Sequence, residues 1–331
     1  MTRRPSLALA TGLFLSLGML GTGLTQPSFI DYLDAYPRLQ QQEFTKVESL
    51  YAAAVQQSAV NSNRNGVEFF FGALRAGSGG VGGNTPEATA AWNVARQWVQ
   101  TFPNSVPAAI FLGRLAVRDA GALSDWTEQE RRAAEAMNAL DHVEEPGRKD
   151  PMWNATYIAL QAMRGSSPTQ TLAFVKARLP IMSEPGEMFF EEVVAALQLR
   201  STDALPQLRE LAYLAIQRTE KKRGKGMHAV VYLSAFFHAP ALRLAPFKHG
   251  VTDWSIMDQA LTDLLKYRPS ASDQVQHAAM ACVAQDKRRA IELLGRAPGN
   301  SGPEAAIWRA WGGDAFYERC KAWAFGPSLP T

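Results

Sequence analysis

An all-α fold, an α-solenoid of irregular tetratricopeptide-like helical repeats, is what this sequence predicts. Three observations carry that expectation. Apolar residues recur at three- and four-residue steps, few segments alternate with period two, and short breakers bearing Pro, Gly or a capping side chain separate the periodic runs. Alanine and leucine dominate and long β-branched runs are missing, which favours helix over strand. With 331 residues, 47% hydrophobic and 20% charged, the chain can bury the core of one large or two modest domains. The same balance excludes the disordered and collagen-like classes.

The elements follow in order. "MTRRPS" is basic, "LALATGLFLSLGML" is apolar and "GTGLTQPS" is small and polar, with no charged side chain between Arg4 and Asp31. This layout predicts a secretory signal over residues 1–25. The rival reading is an inner-membrane anchor, since Leu7 to Leu24 spans the 18 residues a bilayer crossing needs. Either places the body of a bacterial protein in an oxidising compartment, periplasmic or secreted. The net charge of +3 falls to +1 once Arg3 and Arg4 leave with a signal, so no long-range attraction to nucleic acid follows.

Beyond Gln26 the reading is helix after helix. Leu39, Phe44, Val47, Leu50, Tyr51 and Ala54 share one helical face. Thr85 is placed to cap a helix with Glu87 in its first turn, stopping at Pro103; "SVPAAIFLGRLAVRDAG" follows, ending at Gly121. A polar helix covers Glu128–Leu140. Val143 to Pro151, "VEEPGRKDP", puts two prolines and a glycine among charges and is the best internal boundary. It separates an N-terminal lobe, 27–142, from a C-terminal lobe, 152–325. Further helices are expected at Trp153–Met163, Pro168–Arg178, Met188–Leu199, Leu205–Arg218, Trp254–Tyr267, Ser272–Ala284, Lys287–Leu294 and Pro303–Ala324. "HAVVYLSAFF" is the one run compatible with a strand, and its helical neighbours favour helix. An internal echo supports repeats: "QWVQTFPNSVPAAIFLGRLAV" and "DLLKYRPSASDQVQHAAMACV" align on Pro103 and Pro269, although no strict 34-residue period runs through the chain.

Chemistry-bearing motifs are few. The two cysteines, Cys282 and Cys320, form no CxxC pair and cannot alone close a zinc site. His277, five residues before Cys282, points to a different helical face. A disulfide, two buried free thiols and one functional thiol are the readings left, and an oxidising compartment favours the disulfide. "RAGSGGVGGN" lacks the lysine of a phosphate loop and reads as a linker. His228, His238 and His249 have no ligand spacing, and no GxSxG elbow is present. Glu191 and Glu192, read at a helix start, complement the helix dipole. Lys221, Lys222, Arg223 and Lys225 in "EKKRGKG" form a compact basic loop, a candidate contact for anionic surfaces. Trp308, Trp311, Phe316, Tyr317 and Trp323 read as an aromatic cap on the core.

"DWSIMDQALTDLLKYRPSASDQVQHAAMACVAQDKRRAIELL", a tryptophan segment and "YERCKAWA" together resemble a bacterial family known as domain-of-unknown-function 4034, which is helical and tetratricopeptide-related. "ARQWVQTFPNSVPAAIFLGRLAV" is similar to its N-terminal half, so the resemblance covers most of residues 27–325. It implies no activity, cofactor or catalytic residue, and it implies that Cys282 and Cys320 belong to one constellation. The expected function is therefore non-enzymatic: an exported repeat protein that binds a protein or peptide partner, with no cofactor, metal or nucleic acid, and membrane association only through its N-terminus. The competing expectations are an envelope hydrolase around His228 and His238 or Glu191 and Glu192, and a peripheral membrane protein using the basic loop.

Overall fold

The computed structural model describes residues 32–60, 66–78, 83–120, 122–199, 204–248, 250–297, 299 and 304–326. The expected signal or anchor, Gly79–Gly82 of the glycine-rich run and His249 lie outside them. The described residues are all-α, with 18 helices and no strand.

The first expected helical face is divided in two. α1 (Ala35–Gln40) ends where Gln42 takes φ 59°, and α2 (Phe44–Val60) starts afresh. A left-handed turn at a non-glycine residue costs roughly 1–2 kcal/mol. Bonds from Gln42 N to Leu39 O and from Glu43 N to Arg38 O offset it. α3 (Gly66–Gly77) was not expected from the sequence, although Val67, Phe70, Phe71 and Leu74 keep helical spacing and are buried.

α4 (Pro86–Thr101) is capped by Thr85, which accepts from Ala88 N, and leads into α5 (Val106–Ala120). α6 (Trp126–His142), the short α7 (Glu144–Gly147) and α8 (Pro151–Met163) follow, so the stretch Val143–Pro151 holds a helical turn and the N-cap of α8. α9 (Pro168–Arg178) starts with a complete capping box at Ser167 and Gln170. α10 (Glu187–Ala196) and α11 (Leu205–Arg223) follow, and α11 runs five residues beyond its expected end. "HAVVYLSAFF" is helical within α12 (Gly226–His238), followed by the short α13 (Pro240–Leu244). α14 (Trp254–Tyr267), α15 (Ala271–Val283) and α16 (Lys287–Leu294) come next. The single terminal helix expected from the sequence is two, α17 (Ala305–Trp311) and α18 (Gly313–Phe325). Gly312, at φ 120°, allows the break.

The two stretches that align on proline share a backbone. Phe102, before Pro103, has φ −128° and ψ 73°; Arg268, before Pro269, has φ −131° and ψ 73°. Proline disfavours α geometry at the preceding residue, and here each helix stops at that residue. The next helix is then capped by a serine in both cases, Ser105 and Ser270.

α5, α8, α10, α12 and α14 touch in succession, with α6, α9 and α11 alongside. α8 is buried on almost every side, which is why its sequence lacks a polar face. Met152, Trp153 and Leu160 join an N-terminal apolar cluster, while Ala155, Ile158 and Ala162 join a C-terminal one. The two cores therefore meet at this helix. Trp308 and Trp311 enter the C-terminal core and Phe316 and Tyr317 pack against it, whereas Trp323 is 37% exposed and outside that cluster.

Cys282 of α15 and Cys320 of α18 form a disulfide with a Cα separation of 5.7 Å, which ties the end of the chain to the C-terminal core. On the chain-entropy model, closing a loop with a sequence separation of 38 stabilises by about 3–4 kcal/mol. Cys282→Ala with Cys320→Ala is expected to lower the free energy of unfolding in urea by that order, and the midpoint with it, with loss of α18 protection in hydrogen exchange. An unchanged midpoint would sink the assignment of a stabilising staple.

At Gly113 of α5 an added Cβ would sit 2.5 Å from Thr156 Cγ2 of α8. Thr156 is fixed, because it is buried and its Oγ1 donates to Met152 O at 2.7 Å. Alanine would gain about 1 kcal/mol in helix propensity, yet overpacking a locked core costs about 1–3 kcal/mol. Gly113→Ala is therefore expected to destabilise. Adding Thr156→Ser, which deletes the clashing methyl, should recover most of the loss, and chemical denaturation of the four-member cycle measures both.

Candidate binding cleft

A cleft of about 580 Å³ opens between α2, α3, the start of α8, the segment before α10 and the end of α11. That volume falls in the range of ligand sites. Val55, Val67, Val106 and Met152 supply its apolar wall; Tyr51, Asp150, Glu184, Lys149 and Lys222 supply its ionisable groups.

Asp150 is the N-cap of α8. Its Oδ1 accepts from Met152 N at 2.6 Å and Trp153 N at 3.2 Å, while Oδ2 accepts from the Tyr51 hydroxyl. Burial raises the Asp150 carboxyl, with these three donors opposing it. Burial likewise lifts the Tyr51 phenol well above its ordinary value, and the Asp150 charge adds to that. Both groups are engaged in holding a helix start against α2.

On the opposite wall Glu184 pairs with Lys222 and lies 3.8 Å from Arg223. Lys221, Lys222 and Arg223 are the last turn of α11 rather than a loop, where cations complement the carbonyl end of the helix. Arg223 lies 5.3 Å over the Tyr267 ring. The chain then turns at Gly224, φ 53°, where any Cβ would collide with the Asp263 carboxylate. Asp263 accepts from Lys225 N at 3.0 Å, and Lys225 Nζ donates to Gln259 Oε1 at 2.7 Å. Three of the four predicted cations are thus turned onto protein partners, and Lys221 is exposed.

Beside the cleft lies a half-buried acidic cluster. Glu68 of α3 accepts from Met188 N at 2.8 Å, joining α3 to the start of α10. Burial raises the Glu68 carboxyl to about 8, and the neighbouring Glu187 and Glu191 charges push the same way against Arg223. Glu187 is also raised by burial, with Arg268 opposing it; Arg268 Nη1 donates to Glu187 Oε2, and its Nε and Nη2 pair with Asp273 at 3.0 Å each. Glu191 and Glu192 lie a turn beyond the helix start, so the dipole is not their partner. Burial and then Glu187 raise Glu191, while Glu192 pairs with Arg114 at 2.5 Å.

His228 and His238 stand at opposite ends of α12 and do not converge. His228 Nε2 is 3.3 Å from Thr252 Oγ1, and burial followed by the Lys225 charge pushes it down to about 4. Burial lowers His238 too, opposed by Glu192. His277 is fully buried and turned to Asp258, 2.6 Å away, which also accepts from Arg289 Nε at 2.7 Å. Among the described residues no group of three or more His, Cys, Asp or Glu side chains is placed to hold a metal, and no helix is long and apolar enough to cross a membrane. Tyr51, Asp150 and Glu68 escape sequence reasoning because their partners lie 99 and 120 residues away; only the Asp-Pro start of α8 could have flagged Asp150 as a cap. Comparison with protein-family models, with curated proteins and with solved structures finds no match for the chain.

The Glu68 carboxyl titrates well above its ordinary value of 4.5, so the folded chain keeps a proton that the unfolded chain has released. Its contribution to stability is present below pH 4.5 and is lost as pH rises through about 8. Glu68→Gln retains an acceptor for Met188 N and cannot ionise. It is expected to raise the melting temperature at pH 9 and to change it little near pH 4.5. An equal effect at both pH values would show that Glu68 does not titrate in this way.

Proposed function

We propose that this chain is a non-enzymatic, exported helical-repeat protein, and that the cleft between α2, α3 and α11 receives a segment of a protein or peptide partner in the cell envelope. The observation that carries the reading is the state of the cleft's charges. Tyr51, Asp150, Glu184 and Lys222 are all engaged with one another or with backbone, so the walls offer fixed charge and apolar surface rather than a side chain poised to move a proton. Lys149 is the exposed cation at the rim, without an ion-pair partner among the described residues.

Three further observations support the reading. The succession α5, α8, α10, α12, with outer helices alongside, and the recurring pre-proline turn fit irregular tetratricopeptide-like repeats, whose stacking creates extended binding surfaces. The disulfide suits an oxidising compartment, as export through residues 1–25 requires. The quoted C-terminal motifs support kinship with the domain-of-unknown-function 4034 family.

A photo-crosslinking amino acid at Val55, which lines the cleft and is 43% exposed, tests this. In envelope extract it should give a discrete polypeptide adduct that Lys222→Glu abolishes. The same probe at Phe237, 77% exposed and away from the cleft, should give none. Indistinguishable adducts at both positions, or none at Val55, would refute a dedicated cleft.

A further inference from the structure

A second cavity shares no lining residue with the cleft. It measures about 150 Å³ and lies between α3, α5 and α10. Phe71, Phe111, Leu115 and Met188 form its apolar wall, and three arginines, Arg75, Arg114 and Arg118, border it. An apolar cavity of this size accommodates a benzene-sized group.

The charges around it are unbalanced. Arg118 is 13% exposed; its Nε donates to Asp119 Oδ1 at 3.2 Å, and its Nη1 to Ser78 O at 3.3 Å and Ser78 Oγ at 3.2 Å. Its Nη2 is buried without an acceptor among the described residues. Asp119 does not neutralise Arg118 alone, because its other oxygen is taken by Arg132. Arg114 is matched by Glu192. Arg75 is exposed on the last turn of α3 and forms no ion pair among the described residues. Three guanidinium groups therefore meet one whole carboxylate and a share of a second. An anion entering the cavity would offset this excess positive charge beside an apolar wall, and guanidinium groups match the planar geometry of carboxylates.

We propose that this cavity binds a carboxylate carried on a compact apolar group of phenyl or isobutyl size. The apolar part fills the space between Phe71, Phe111 and Met188, and the carboxylate meets Arg118 and Arg75. A free organic acid and the C-terminal residue of a polypeptide share that chemistry. The inference stands on this cavity and does not need the partner-binding reading of the cleft.

Calorimetry on the intact, disulfide-bonded chain separates the outcomes. The probes are phenylacetate against phenylacetamide, N-acetylphenylalanine against its amide, and inorganic phosphate. At least one acid should bind saturably, with its amide weaker by about tenfold or more, as expected for loss of a charge-assisted contact. Phosphate, lacking the apolar part, should not bind at matched concentration. Phenylacetate alone binding assigns a free acid; N-acetylphenylalanine alone binding assigns a chain terminus; either supports the proposal. Arg118→Met should abolish acid binding, and Arg75→Gln, at an exposed position that the fold does not use, should weaken it severalfold. Equal affinity for acid and amide, equal binding of phosphate, or no saturable binding of either acid overturns it. Loss of the Val55 adduct with acid binding intact would overturn the cleft reading alone.

Discussion

Burial of α8 on almost every side is the constraint on which the rest of the structure depends. A helix with one apolar stripe needs one neighbour, whereas a helix with apolar residues all round needs neighbours on every side. Trp153 faces the N-terminal core and Ile158 the C-terminal one, so neither core closes without this helix. Fully burying such side chains stabilises by about 1.5–3 kcal/mol each. Close packing at Gly113 and Thr156 then sets how near α5 can approach.

Such a helix must begin inside protein, and its first N–H groups must still find acceptors. Asp150 supplies them, and the Tyr51 hydroxyl satisfies its second oxygen from 99 residues away. The short α7 delivers the chain to that point. Two of the cleft's polar groups, Tyr51 and Asp150, are thus a consequence of starting a buried helix. A carboxylate fixed in this way is a stable recognition feature and a poor base, because its lone pairs are already used. Glu68 shows the opposite solution. It sits half-buried at a helix–helix joint beside Glu187 and Glu191, which pushes its carboxyl up to about 8.

Local rules made most of the helices legible. Thr85, Ser167 and Asp286 cap as their residue types allow, and Pro168–Arg178, Trp254–Tyr267 and Lys287–Leu294 start and stop at their punctuation. The errors are local as well. Gln42 and Gly312 break helices through positive φ, which periodicity cannot reveal, and α11 extends through Lys221–Arg223 because lysine and arginine are good helix formers. The pairing of Cys282 with Cys320 was open to sequence reasoning because these two cysteines have no others to choose from. The cleft was not, because its groups come from six separate parts of the chain and no spacing rule links them.

The least legible helix, α3, contributes most to the sites. Its apolar stripe of Val67, Phe70, Phe71 and Leu74 packs inward, and the chain's glycines at its ends disguise it as linker. The stretch from α3 into Ser78 then supplies Val67 to the cleft, Glu68 to the acidic joint with α10, and Phe71, Arg75 and Ser78 to the arginine cavity. In a regular stack every helix packs against its neighbours in the row, and the grooves between repeats are alike. α3 packs instead on α1 and α2 and reaches α10 through Glu68, so it closes two cavities that a regular repeat would leave open. The cleft and the arginine cavity both arise where α3 departs from the row.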